Sequence, residues 1–173
     1  MPKLRHYDHL GTARFVTFSC YQRQRLLGDS IGRQAVLDEL SRLRTDHGVK
    51  VLGYVVMPEH VHLVLLPPDD VKLGPLIGAL KARSAHIILD WIRNGQRRQR
   101  VPVRSGGTPA VWQKRCYDHN CRTPEIVVEK VKYCHDNPVK RGLVAQPENW
   151  PWSSCRWYVG QREGIPEIDG IEL

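Results

Sequence analysis

Val49-Lys50-Val51-Leu52-Gly53-Tyr54-Val55-Val56-Met57-Pro58-Glu59-His60-Val61-His62-Leu63-Val64-Leu65-Leu66 holds two apolar, β-branched runs split by a proline and a glutamate. Val49–Met57 reads as one strand, stopped by Pro58. His60–Leu66 reads as the next, stopped by Pro67-Pro68 and the acidic pair Asp69-Asp70. The link Pro58-Glu59 is too short for anything but an antiparallel hairpin. Side chains alternate along a strand, so Val61, Leu63 and Leu65 share one face and His60 and His62 stand together on the other.

Working outward, Arg14–Tyr21 is aromatic and β-branched and predicts a strand. Val36, Leu37, Leu40 and Leu43 recur at helical spacing within Arg33–Arg44. Leu76, Leu80, Ile87, Ile88 and Trp91 do the same within Pro75–Arg93. Gly95–Ala110 carries three Gly, two Pro and four Arg, and reads as a mobile basic loop. A fourth strand is expected within Val111–Cys121. Thr123-Pro124 supplies a hydroxyl cap and a first-turn proline for a last helix, which Pro138 is expected to end. The order strand-helix-strand-strand-helix-strand implies an α+β, ferredoxin-like antiparallel sheet, with helices on one face and a site on the other. One domain is expected over residues 1–159. An irregular tail with Gly160, Gly164, Pro166 and Gly170 fills 160–173.

The chain has 173 residues, 41% hydrophobic and 25% charged, which is globular rather than disordered. Twenty-six Lys and Arg face 18 Asp and Glu, a net charge of +8, which suggests a polyanion such as nucleic acid. No apolar run approaches the ~20 residues of a membrane span, and the first residues lack the apolar stretch of a secretory signal. Five cysteines without a CxxC pair point to free thiols in a reducing, cytoplasmic setting. Cys116, Cys121 and His119 are a weak zinc alternative because their spacing is poor.

A lone histidine on a strand is usually just a solvated side chain. Two, one residue apart and directly after a turn, are also the pattern of a chelate for one divalent ion.

The stretch Tyr54–Leu65, with Glu59-His60-Val61-His62 at its centre, resembles the His-hydrophobic-His strand of HUH endonucleases, and especially the single-tyrosine transposases. Trp112-Gln113-Lys114-Arg115 with Tyr117-Asp118-His119 resembles the family's next block. Tyr133-Cys134-His135-Asp136-Asn137-Pro138-Val139-Lys140-Arg141-Gly142-Leu143-Val144 resembles the tyrosine block, and Trp150-Pro151-Trp152-Ser153-Ser154 the closing one. The four blocks, in order across about Arg5–Tyr158, are similar to the REP-associated branch of the family.

The resemblance implies Tyr133 as nucleophile. It also implies a divalent metal, Mg²⁺ or Mn²⁺, held by His60, His62 and Asn137, which lies four residues and so one helical turn after the tyrosine. Tyr117 is the rival nucleophile, and Asp118 and His119 are expected to be structural or to help hold the site. A phenol, with an ordinary pKa near 10, is a weak nucleophile at neutral pH. A cation bound by neutral ligands keeps its charge for the phosphate. The expected product is a 5′-phosphotyrosine and a free 3′-OH, reversed when another 3′-OH attacks.

The implied partner is single-stranded or hairpin DNA in the bacterial cytoplasm and nucleoid, with no membrane. Candidate DNA contacts are Arg97, Arg98, Arg100 and Arg104 in the loop, Lys81 and Arg83 on the second helix, and Lys140 and Arg141 after the tyrosine. Trp112, Trp150, Trp152 and Trp157 offer stacking surfaces, although packing is the commoner fate of tryptophan. The tail offers no obvious dimer helix, which favours a monomer, while some relatives of this type work as dimers. Two other readings stay open: a non-catalytic single-strand-binding module of the same fold, and a phosphodiesterase that uses water and dispenses with Tyr133.

Overall fold

In the computed structural model, which describes residues 12–95, 100–164 and 166–173, the hairpin forms as expected. Strand β1 spans Ala13–Ser19, helix α1 Ser30–His47, β2 Lys50–Val56, β3 His60–Leu66, α2 Leu73–Arg93, β4 Tyr117–Cys121, α3 Pro124–Lys140 and the single turn α4 Cys155–Tyr158. The four strands form one antiparallel sheet in the order β2-β3-β1-β4. No helix among the described residues is long and apolar enough to cross a membrane.

Helices α1 and α2 cover one face. Val36, Leu40 and Leu43 of α1 and Leu73, Ile77, Leu80 and Ile88 of α2 pack against Val16, Phe18, Val61, Leu63 and Leu65. Helix α1 starts three residues before the expected Arg33, where the Asp29 carboxylate accepts from Gly32 N–H at 2.9 Å. It ends on Gly48 in the left-handed conformation, φ 65°.

The opposite face is not left open, as the sequence suggested. Helix α3 lies across part of it, burying Val127, Val131 and Cys134 against Phe15, Leu52, Val55 and Val64. A sheet covered on both sides needs apolar residues on both, which is why β2 and β3 read as near-continuous apolar runs. Gly53 lets the helix approach: a Cβ there would sit 3.1 Å from a Val131 methyl.

Pro138 does not stop α3. In the last turn its missing N–H forfeits one bond to the Cys134 carbonyl, and the helix runs on to Lys140. The stop is a Schellman motif at Gly142, φ 67°: Gly142 N–H donates to the Val139 carbonyl at 2.9 Å and Leu143 N–H to the Pro138 carbonyl at 2.9 Å.

The chain after α3 closes the β2 edge. Val56 N–H donates to the Trp152 carbonyl at 2.8 Å, Ser154 N–H to the Tyr54 carbonyl at 3.0 Å and Asp169 N–H to the Val51 carbonyl at 2.8 Å. Residues 166–173 are irregular, as expected, yet Ile168 is buried in the α1–α2 core and Arg44 pairs with Asp169 at 3.0 Å. Trp112 and Trp150 are core residues, bonded through Nε1 to Ser84 Oγ at 3.2 Å and the Val56 carbonyl at 3.1 Å.

Candidate functional site

His60 and His62 project from β3 onto the α3 side of the sheet, with ring centroids 4.7 Å apart, each about 5% exposed. Each ring is fixed through Nδ1. His62 Nδ1 lies 2.7 Å from Thr17 Oγ1, on the residue paired with it across the sheet. His60 Nδ1 lies 3.0 Å from Glu59 Oε1. Both Nε2 atoms are thereby left for another partner, the usual state of imidazoles that bind metal. Phe15 stacks on His62 at 5.4 Å.

Helix α3 brings the other two predicted residues to the same place. The Tyr133 ring meets His62 edge-on at 5.2 Å and Phe15 at 5.8 Å, remains 39% exposed, and has the Lys140 ammonium 5.6 Å above it. One turn on, Asn137 Nδ2 lies 3.5 Å from His62 Nε2, while its Oδ1 is buried with no hydrogen-bond partner among the described residues. Two oriented imidazoles and an unsatisfied amide oxygen are a donor set that fits a divalent cation. Among the described residues no three His, Cys, Asp or Glu side chains form a cluster suited to a metal ion.

Burial pushes the His62 imidazole down to about 3, helped by the neighbouring His60 and the Arg23 charge. His60 is lowered too, mainly by burial, against the upward pull of Glu59. Both rings are therefore neutral at pH 7, the form that binds metal. Tyr117 stands on the same face but two strands from His62, roughly 10 Å away. Asp118 faces the other way and holds the buried Arg14, Nε to Oδ1 at 3.0 Å. Cys116 packs in the α1–α2 core and Cys121 under α3, so the zinc alternative fails on geometry.

The proposed basic contacts divide. Arg97 and Arg98 lie outside the described residues. Arg100 is exposed. Arg104 is committed elsewhere: its Nη2 donates to the Trp112 carbonyl and its guanidinium rests 5.3 Å from the Tyr21 ring, within an ordered turn closed by Arg104 N–H to Thr108 O. Lys81 donates to the Gln113 and Lys114 carbonyls at 2.7 and 3.1 Å, and Arg83 pairs with Glu39 at 3.2 Å. Lys140 lies 3.7 Å from Asp136. Arg141 reaches the site, donating to Glu59 Oε1 at 2.8 Å. Thr17 and Glu59, which engage the imidazoles, were missed; Glu59 had a signal, its place beside His60, whereas Thr17 depends on tertiary pairing.

The sequence model described as "Transposase IS200 like" matches residues 9–126. A REP-associated tyrosine transposase of Escherichia coli (strain K12) is 26% identical over 166 residues, 95% of this chain and 87% of that protein. A protein named as a putative REP-associated tyrosine transposase of Haemophilus influenzae is 29% identical over 106 residues, 61% of this chain and 58% of that protein. Among solved structures, a REP-associated tyrosine transposase bound to a REP hairpin superposes with a TM-score of 0.68 at 24% identity, covering 100% of this chain and 93% of that one.

Proposed function

Since the chain belongs to the IS200-like transposase family, we propose that it cuts and rejoins single-stranded DNA through Tyr133, at hairpins of the REP type. The observation that carries this reading is the convergence of Tyr133, Asn137, His60 and His62 from two elements 75 residues apart at the His62–Asn137 contact. The half-exposed phenol lets a strand reach the nucleophile while the imidazoles stay dry.

The Tyr133 oxygen attacks phosphorus, the bond from phosphorus to the 3′ oxygen breaks, and that oxygen leaves as a 3′-OH. The 5′-phosphotyrosine is resolved when a 3′-OH attacks it, releasing Tyr133. His60, His62 and Asn137 would hold Mg²⁺ or Mn²⁺, which supplies charge stabilisation at the non-bridging oxygens. Thr17 and Glu59 orient the imidazole rings through Nδ1. Phe15 and Lys140 hold the Tyr133 ring edge-on to His62.

The test is a denaturing gel of the protein with labelled hairpin DNA in Mn²⁺ or Mg²⁺. A covalent adduct is expected, lost in Tyr133→Phe while DNA binding persists. An adduct that survives Tyr133→Phe moves the nucleophile to Tyr117. Cleavage without an adduct supports water as nucleophile, and binding alone supports the non-catalytic module. Activity in Zn²⁺ but in neither Mg²⁺ nor Mn²⁺ overturns the metal assignment.

A further inference from the structure

Two tyrosines are exposed among the described residues, Tyr133 and Tyr117, the latter at 50%. Both stand on the α3 side of the sheet, and only Tyr133 has a role so far. At the far end of β4 Cys121 is buried under α3, while the Tyr117 end stays in solvent. One exposed ring is ordinary on a protein surface. Tyr117 is not alone: His119, two residues along the same strand, stacks with it, ring centroids 6.2 Å apart and planes within 5°.

The pair stands on fixed backbone. Asp118, between the two, points to the other face and holds the buried Arg14, Nε to Oδ1 at 3.0 Å. Across the sheet Tyr117 pairs with Thr17 and His119 with Phe15. A flat aromatic surface that is already ordered loses little freedom when a planar group stacks on it. Tyr117, Thr17 and His62 form one row over β4, β1 and β3. A strand leaving the histidines along that row meets Tyr117 next. The approach is basic, since Lys114 and Arg115 just before it are exposed and the chain carries a net +8.

We propose that Tyr117 and His119 form a stacking platform for one base of the single strand, near but not at the phosphodiester that Tyr133 attacks. Tyr117 then binds DNA through its ring rather than attacking it through its hydroxyl. This rests on the DNA-cleavage reading above and adds a base contact to it.

The experiment removes one base at a time along the single-stranded flank of a REP-type hairpin, leaving an abasic sugar. Affinity is measured in chelator, so that metal and cleavage play no part. Wild-type protein is expected to lose on the order of tenfold at one position, by a similar factor whichever base stood there. Tyr117→Ala should lose a similar factor on intact DNA and be indifferent to the missing base at that position. Tyr117→Phe keeps the ring and should bind like wild type. An even loss along the strand for the wild type overturns the platform, and this arm needs no variant to fold. Tyr117→Phe as weak as Tyr117→Ala also overturns it, because the hydroxyl is then the contact. So does Tyr117→Ala that binds like wild type; if that change also turns a dimer into a monomer in sedimentation, the ring belongs to an interface between copies. Adduct formation by the wild type in metal is read separately. A normal adduct without the abasic-sensitive position ends the platform alone, and that position without any adduct ends the cleavage reading alone.

Discussion

At the scale of single residues, the site depends on which nitrogen of each imidazole faces inward. Thr17 and Glu59 settle that by engaging Nδ1. Thr17→Val keeps the shape and removes the hydroxyl. It should weaken Mn²⁺ binding about 10- to 100-fold by calorimetric titration; unchanged affinity would mean that stacking on Phe15 alone orients His62. The same burial makes the metal-free fold sensitive to acid. His135, on the buried side of α3 with Nε2 2.9 Å from Ser154 Oγ, is lowered to about 4 by burial, and His62 to about 3. Unfolded histidine titrates near 6.5, so below that pH the unfolded chain binds protons that the folded chain refuses. Stability should be full above about pH 6.5 and fall steadily towards pH 4, which urea unfolding across that range would measure. A flat profile would mean the rings are protonated inside the fold. The pair itself was readable in the sequence because strand periodicity alone puts His60 and His62 on one face. Arg104 and Lys81 were named on residue type alone, and the carbonyls to which they donate are set by tertiary packing that residue type does not display.

At the scale of elements, α3 does two jobs, filling the second core and delivering Tyr133 and Asn137 to β3. Its start was legible in Thr123-Pro124, whose hydroxyl accepts from Ile126 N–H. Its end was not, because a proline in the last turn costs little and the stop lies in the φ of Gly142. A Cβ at Gly142 meets nothing within 4 Å, so Gly142→Ala tests backbone conformation alone. It should cost about 1 kcal/mol, seen as a melting temperature lower by roughly 2–4 °C. No change would mean that the helix end is set by packing of Leu143 instead. The position of α3 over the sheet was hinted at by the unbroken apolar runs of β2 and β3, which a one-sided sheet would not need.

At the scale of the whole molecule, the residues beyond α4 are part of the fold. Ile168 enters the α1–α2 core and Asp169 ties α1 to β2 through Arg44 and the Val51 backbone. Ile168→Ala should destabilise by about 2–5 kcal/mol in denaturant titration; a loss below 1 kcal/mol would show that this segment merely rests on the surface. Glycine and proline spacing gave no sign of the docking, since irregular backbone leaves no periodicity to read. The same segment bears on how the protein behaves in crowded solution. A bare sheet edge recruits strands from other chains and seeds aggregates. Along β2 the outward groups of Val51, Tyr54 and Val56 are already engaged by Asp169, Ser154 and Trp152. The edge beside the histidine strand is thus sealed against strand addition, and crowded copies of this chain have no template there for polymerising.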